Sequence, residues 1–268
     1  MSLPFFKSAV SAALLLSSIT SLSIFSANAT VVEFTTSRGD FKINLHDTST
    51  PNSVQNFLNY VVDQDYNNTV VHRVVDNFVL QGGGFSFSGQ LPLSAIETDQ
   101  PVVNEPVYSN VRGTIAMAKV AGNANSATSQ WFINLDNNSA GTSQLDTQNG
   151  GFTVFGEVVV NDNEDGMAVI DAIAGLPRCS GSNIPFTDNS EAICQSPGAE
   201  NFVTIYSVNV YDDTISTDAS LASIENTAIN QQNNDNGEPN NSSGGGSLSW
   251  FSLFMLGLYS LTKAKKTS

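Results

Sequence analysis

The chain has 268 residues and a formal net charge of −15, and between residues 30 and 246 six basic residues face all 25 acidic ones, a net charge near −19. A field of that sign repels nucleic acid and anionic lipid and favours solubility, so no nucleic-acid partner is expected. Two cysteines and two histidines are too few for a metal cluster, and no phosphate-binding glycine loop is present, so neither metal nor cofactor is expected.

Residues 1–29 read as a secretory signal peptide. Lys7 supplies a positive start, residues 9–25 are mostly apolar or small, and Ala27-Asn28-Ala29 fits a cleavage site. Residues 30–216 then hold one domain's worth of chain. The stretches 31–36 and 41–45 are two short strands around the turn Ser37-Arg38-Gly39-Asp40. A helix follows, with Thr50 as N-cap and Pro51 at its first position. Val54, Phe57, Leu58, Val61 and Val62 recur at helical spacing and give it one apolar face.

Residues 71–84, VHRVVDNFVLQGGG, read as a strand pair turning at Asp76-Asn77. They join a fixed guanidinium (Arg73), an apolar run and an amide (Gln81) to three glycines, which by default mark a bend or bulge. Residues 85–112 are irregular. Residues 114–118 and 130–135 are strand-like, 152–160 form another strand, 164–175 a second helix, and 202–211 a final strand. Many short strands and two helices predict a closed antiparallel barrel with helical caps; a sandwich also fits the pattern. Cys179 and Cys194 read as a disulfide in an exported protein, the alternatives being free thiols or half of a metal site.

Residues 217–246 are dominated by Ser, Thr, Asn, Gln and Gly and read as a flexible polar linker. Residues 248–262 form an apolar run, short for a bilayer span of about 17–25 residues, followed by Lys263, Lys265 and Lys266. Residues 247–268 are thus a sorting or anchor helix with a basic tail, and the lysines place the folded part outside the cell. Three glycines, an apolar helix and a basic end resemble the GlyGly-CTERM sorting tail of bacterial exported proteins. That resemblance implies an inner-membrane sorting protease as a partner, with a plain membrane anchor as the alternative. The expected location is periplasmic, cell-surface or secreted, and the expected state is a monomer.

The motifs VHRVVDNFVLQGGG, GTIAMA…SATSQWFINL and FTVFGEVV, in this order, resemble the cyclophilin family of peptidyl-prolyl cis-trans isomerases, closest to its bacterial exported branch. The resemblance covers nearly all of residues 31–211. It implies an eight-stranded antiparallel barrel capped by two helices, proline-containing polypeptide substrates and a single catalytic arginine, here Arg73. It also implies a proline pocket of Phe78, Phe132 and Leu145, with Val79 where methionine is usual. Gln81 falls on the glutamine that binds the substrate backbone, and Gln130 on a second site glutamine. Ala118 and Lys119 fall on the segment whose backbone pairs with the peptide. Phe152 takes a position often held by histidine. The position before Leu145, commonly Trp or Phe, is Gln144, so cyclosporin binding is not implied for this chain.

No bond breaks in isomerisation, so no nucleophile or base is required, and His72 reads as a structural neighbour of Arg73. The competing function is a non-catalytic barrel that grips proline peptides as a chaperone or adaptor; Arg73 together with Gln81 favours the enzyme.

Overall fold

A computed structural model describes residues 30–161, 163–212, 223–229 and 231. The expected signal peptide and the apolar C-terminal helix lie outside the described residues. Among those described, no helix is long and apolar enough to cross a membrane.

The chain opens with β1 (Val31–Thr36) and β2 (Phe41–Leu45), paired antiparallel as their alternation predicts. Helix α1 (Pro51–Val62) follows, with Pro51 in its first turn. Thr50 sits at the N-cap but its side chain makes no cap hydrogen bond. The capping oxygens come instead from Glu105, whose carboxylate accepts from the backbone N–H of Asn52 at 3.2 Å and of Ser53 at 2.9 Å. It also accepts from both of their side chains. A carboxylate there answers both the unpaired amides and the positive end of the helix dipole. Val54, Phe57, Tyr60 and Val61 bury the opposite face of α1 in the main core.

Next come β3 (Thr69–Val70), β4 (Arg73–Val75), β5 (Val79–Gly82), β6 (Phe85–Ser86) and β7 (Ser94–Ala95). The last two lie in the stretch expected to be irregular. Then follow β8 (Thr114–Met117), β9 (Trp131–Asn134) and β10 (Val154–Val158), each within a residue or two of its predicted span. A small hairpin of β11 (Val160–Asn161) and β12 (Glu164–Asp165) leads into α2 (Gly166–Ala174). Asp165 caps α2 by accepting from the N–H of Ala168 at 3.0 Å. A short helix α3 (Glu191–Gln195) and the long β13 (Thr204–Asp212) complete the body.

Eleven strands form one antiparallel sheet, in the order β4-β5-β9-β8-β10-β2-β1-β13-β3-β6-β7. The class is therefore mainly β, a curled antiparallel sheet with few helices. Residues 69–75 carry both β3 and β4, interrupted only at Val71 and His72. Their first part pairs with β13, and the N–H of Val71 continues that ladder to the carbonyl of Val203 at 3.0 Å. Their second part pairs with β5.

Strand alternation sorts the side chains into two cores. Val74, Leu80, Ile115, Met117, Trp131, Ile133 and Phe155 point to one side, with the α1 face, and fill the main core. Their neighbours Val79, Ala116, Phe132 and Val154 point to the other side and join a second cluster. Two residues of opposite facing in each strand is what a period of two requires.

The disulfide is formed between Cys179 and Cys194, with Cα atoms 5.6 Å apart. Its loop is tied to the β4–β5 turn. Arg178 donates to both carboxylate oxygens of Asp76 at 2.6 Å, and the N–H of Val74 donates to the carbonyl of Asn183 at 2.8 Å. Residues 223–229, expected within a flexible linker, instead lie against the body. Glu225 bridges Tyr108 in antiparallel fashion, and Asn226 is buried.

Candidate active site

The site is a row of side chains running across five adjacent strands. In register, Arg73 on β4 lies opposite Gln81 on β5, and Gln81 lies opposite Phe132 on β9. Phe132 lies opposite Ala116 on β8, and Ala116 opposite Val154 on β10. All five therefore face the same side of the sheet, away from the main core. Residues 8 to 81 positions from Arg73 in sequence thus become one continuous row with Arg73 at its edge.

Arg73 is held by its row neighbour. Its Nη1 donates to Gln81 Oε1 at 3.3 Å, and Gln81 Nε2 donates to Gln130 Oε1 at 2.9 Å. The guanidinium carbon lies 5.8 Å from the centroid of the Phe78 ring, within cation–π range. Partial burial lowers the Arg73 pKa, but a guanidinium stays ionised at neutral pH. The cation is thus positioned by an amide and an aromatic face at the rim of an apolar surface.

That surface is the second cluster. It brings together Val79, Ala118, Phe132, Leu145 and Phe152, with Phe78 and Tyr108 packed against it. Phe132 and Phe152 meet edge to face with centroids 5.7 Å apart. Leu145 and Phe152 come from a loop, and main-chain bonds fix them. The N–H of Phe152 donates to the Leu145 carbonyl and that of Leu145 to the Asn138 carbonyl, both at 2.8 Å. Asn138 in turn donates through Nδ2 to the carbonyl of Phe78 at 2.8 Å, which ties the loop to the start of β5.

The three glycines have a steric reason. A Cβ on Gly82 would stand 2.7 Å from the Trp131 ring, and one on Gly84 only 2.6 Å from Cγ of Gln130. Gly83 has φ +75°, a conformation that side chains rarely adopt. The glycines therefore let β5 approach Trp131 and leave room for Gln130 beside Gln81.

Lys119 differs from the expectation, which gave a role only to its backbone. Its side chain turns inward and is buried. The ammonium donates to Asn104 Oδ1 at 3.2 Å and to the carbonyls of Asn149 and Gly151 at 2.9 and 2.5 Å. It also lies 4.7 Å from the Phe152 ring centroid, and burial lowers its pKa to about 8. Lys119 thereby ties the segment before Phe152 to the end of β8. Neither Lys119's three acceptors nor the Glu105 cap could be found from spacing, because each joins residues some 15 to 53 positions apart.

His72 is beside the site but outside the row. Its Nδ1 is buried with no hydrogen-bond partner, and its ring meets Phe85 edge-on at 4.8 Å. Burial, then the Arg73 charge, lowers its pKa to about 4, so the imidazole is neutral at working pH. Gln144 is exposed next to Leu145, with φ 48°. Among the described residues no group of three or more His, Cys, Asp or Glu could hold a metal ion.

A fixed cation, two amides and an apolar cluster thus lie side by side on the face of the sheet turned away from the main core. The model of the family "Cyclophilin type peptidyl-prolyl cis-trans isomerase/CLD" matches residues 31–190. Peptidyl-prolyl cis-trans isomerase of Acinetobacter baylyi is 42% identical over 151 residues, covering 55% of this chain and 73% of that protein. Peptidyl-prolyl cis-trans isomerase B of Escherichia coli is 41% identical over 149 residues, covering 54% of this chain and 85% of that protein. Peptidyl-prolyl cis-trans isomerase A of Dickeya dadantii is 42% identical over 149 residues, covering 54% and 72%. The chain belongs to the cyclophilin-type peptidyl-prolyl cis-trans isomerases, and its activity is the interconversion of cis and trans X–Pro bonds.

Proposed function

We propose that Arg73 is the catalytic group and that the row ending in Phe132 is the substrate surface. The observation that carries this reading is the cross-strand register, which sets Arg73, Gln81 and Phe132 side by side on one face. Rotation about a peptide bond meets a barrier of about 18–20 kcal/mol because the C–N bond has partial double-bond character. In the twisted amide the prolyl nitrogen regains its lone pair and can accept a hydrogen bond. Arg73 donates it. That bond exists only near the transition state, so it lowers the barrier rather than merely tightening binding.

The remaining residues hold still what must not turn. Phe78, Val79, Phe132, Leu145 and Phe152 bury the proline ring. Gln81, oriented between Arg73 and Gln130, fixes a flanking backbone group, and the backbone at Ala118 and Lys119 pairs with the peptide. The carbonyl side of the bond then rotates against an anchored ring. Phe132→Ala is the test of the pocket: it should raise KM for an X–Pro peptide while leaving kcat nearly intact. An unchanged KM would remove Phe132 from the pocket.

The eight-stranded barrel belongs to the same proposal. Counting residues 69–75 as one strand leaves eight strands in the ring, and the bonds of that segment to both β13 and β5 support closure. We further propose that the enzyme acts outside the cytoplasm on exported proteins. The composition of residues 1–29, the Cys179–Cys194 bridge and the acidic body support this. The glycines at 244–246 and the apolar, basic-ended tail support transient anchoring and cleavage by a sorting protease. Mass spectrometry of the exported protein should find a C-terminus near those glycines; an intact Ser268 would mean a permanent anchor.

A further inference from the structure

The strap formed by residues 223–229 lies beyond residues 31–190, the part that matches the family. Four of its seven residues are polar, yet it is held closely. The N–H of Ser109 donates to the Ile224 carbonyl and that of Asn226 to the Val107 carbonyl, both at 2.8 Å. Ser223 Oγ donates to Glu157 Oε1 at 2.5 Å, on the same strand as Val154. Asn226 is only 2% exposed. Its Oδ1 accepts from the N–H of Ile229 at 3.1 Å, and its Nδ2 donates to the carbonyl of Asp146 at 2.8 Å.

Asp146 directly follows Leu145 and is itself 2% exposed. Its Oδ1 accepts from the backbone N–H of Asn110 at 2.7 Å and from Asn110 Nδ2 at 3.1 Å. The same Nδ2 donates to the carbonyl of Phe152 at 3.1 Å. A continuous set of buried hydrogen bonds therefore runs from the strap through Asp146 and Asn110 to both loop residues of the pocket. A second route runs through Tyr108, which pairs with Glu225 and packs its ring against the pocket cluster.

We infer that this strap sets the outer wall of the pocket, with Asn226 as a positioning residue for Leu145 and Phe152. The inference rests on the reading that these two residues line the proline pocket. The isomerase would then bind peptide well only with its C-terminal strap in place, and whatever draws the strap away from Tyr108 and Asp146 weakens substrate binding without touching Arg73.

The test uses the full chain. Asn226→Ala removes the donor to Asp146 and leaves a buried carbonyl unpaired. It should raise KM for an X–Pro peptide about three- to tenfold, the range for one lost buried hydrogen bond, with kcat changed by less than about twofold. Hydrogen exchange at the Phe152 N–H should quicken. Asn226→Ser keeps a small polar side chain that falls short of the Asp146 carbonyl, so it should give the same KM rise and serves if the alanine variant does not fold. Thr227→Ala, an exposed neighbour, should leave KM alone. A lowered melting temperature with unchanged KM and unchanged Phe152 exchange would make the strap merely structural and overturn the proposal. Leu145→Ala separates the two claims. If it leaves KM unchanged, the pocket reading fails; if it raises KM while both Asn226 variants do not, the strap alone is wrong.

Discussion

His72 should make this enzyme sensitive to mild acid in a way that a single substitution removes. Its Nδ1 is buried without a partner, and the Arg73 guanidinium is its immediate chain neighbour. Protonating the folded chain there puts a second cation beside the first at a desolvated site. The folded pKa is accordingly about 4, against 6.5 for an unperturbed histidine. Between those values the unfolded chain binds the proton and the folded chain does not, so stability falls as pH drops through that window and is fully present above it. At about 1.4 kcal/mol per pH unit, the interval corresponds to roughly 3 kcal/mol lost between pH 7 and pH 4. Urea unfolding of the full chain and of His72→Gln across this range isolates the contribution, because other titrating groups are common to both. The difference between the two stabilities should grow by roughly that amount toward neutral pH. Parallel curves would show that the folded chain protonates His72 as readily as the unfolded chain, and the stated environment would be wrong.

Three further outcomes follow from the packing. Removing the disulfide by Cys179→Ser with Cys194→Ser opens a loop of sequence separation 15 and should lower stability by about 3 kcal/mol, a melting-point drop of roughly 6–12 °C by calorimetry. Glu105→Ala uncaps α1 and should lower stability by about 1–2 kcal/mol in denaturant titrations. Gly82→Ala drives a Cβ to 2.7 Å from the Trp131 ring, and should destabilise by about 1–3 kcal/mol.

The parts of the fold visible in the sequence were those whose determinants are local. The β1–β2 hairpin and α1 carry their alternation, turn residues and helical spacing within a dozen residues, and the structure has them where those signals lie. β6, β7 and α3 are too short to show a period. The strap escaped because it lies in a stretch whose composition matches a linker, while its order depends on hydrogen bonds to Val107, Ser109, Asp146 and Glu157, 66 to 119 positions away.

The site was legible in a different manner. Periodicity says that Arg73 and Gln81 lie on strands, but not that they are cross-strand neighbours or that Phe132 is next in the row. Their grouping came from family resemblance, and the register of β4, β5 and β9 supplies its physical form. The side-chain role of Lys119 had no such guide, since a lysine after a strand reads by default as solvated. Only the fold shows three oxygens converging on it.

The central claim is that one guanidinium performs the chemistry while the pocket performs the binding. Arg73→Ala in the full chain, assayed for catalysed isomerisation of an X–Pro peptide alongside its Kd, separates the two. The account predicts a fall in kcat on the order of 100-fold, the effect of removing one donor aimed at the transition state, with Kd nearly unchanged. A variant that keeps its kcat, or that loses activity only through a weakened Kd, would contradict it.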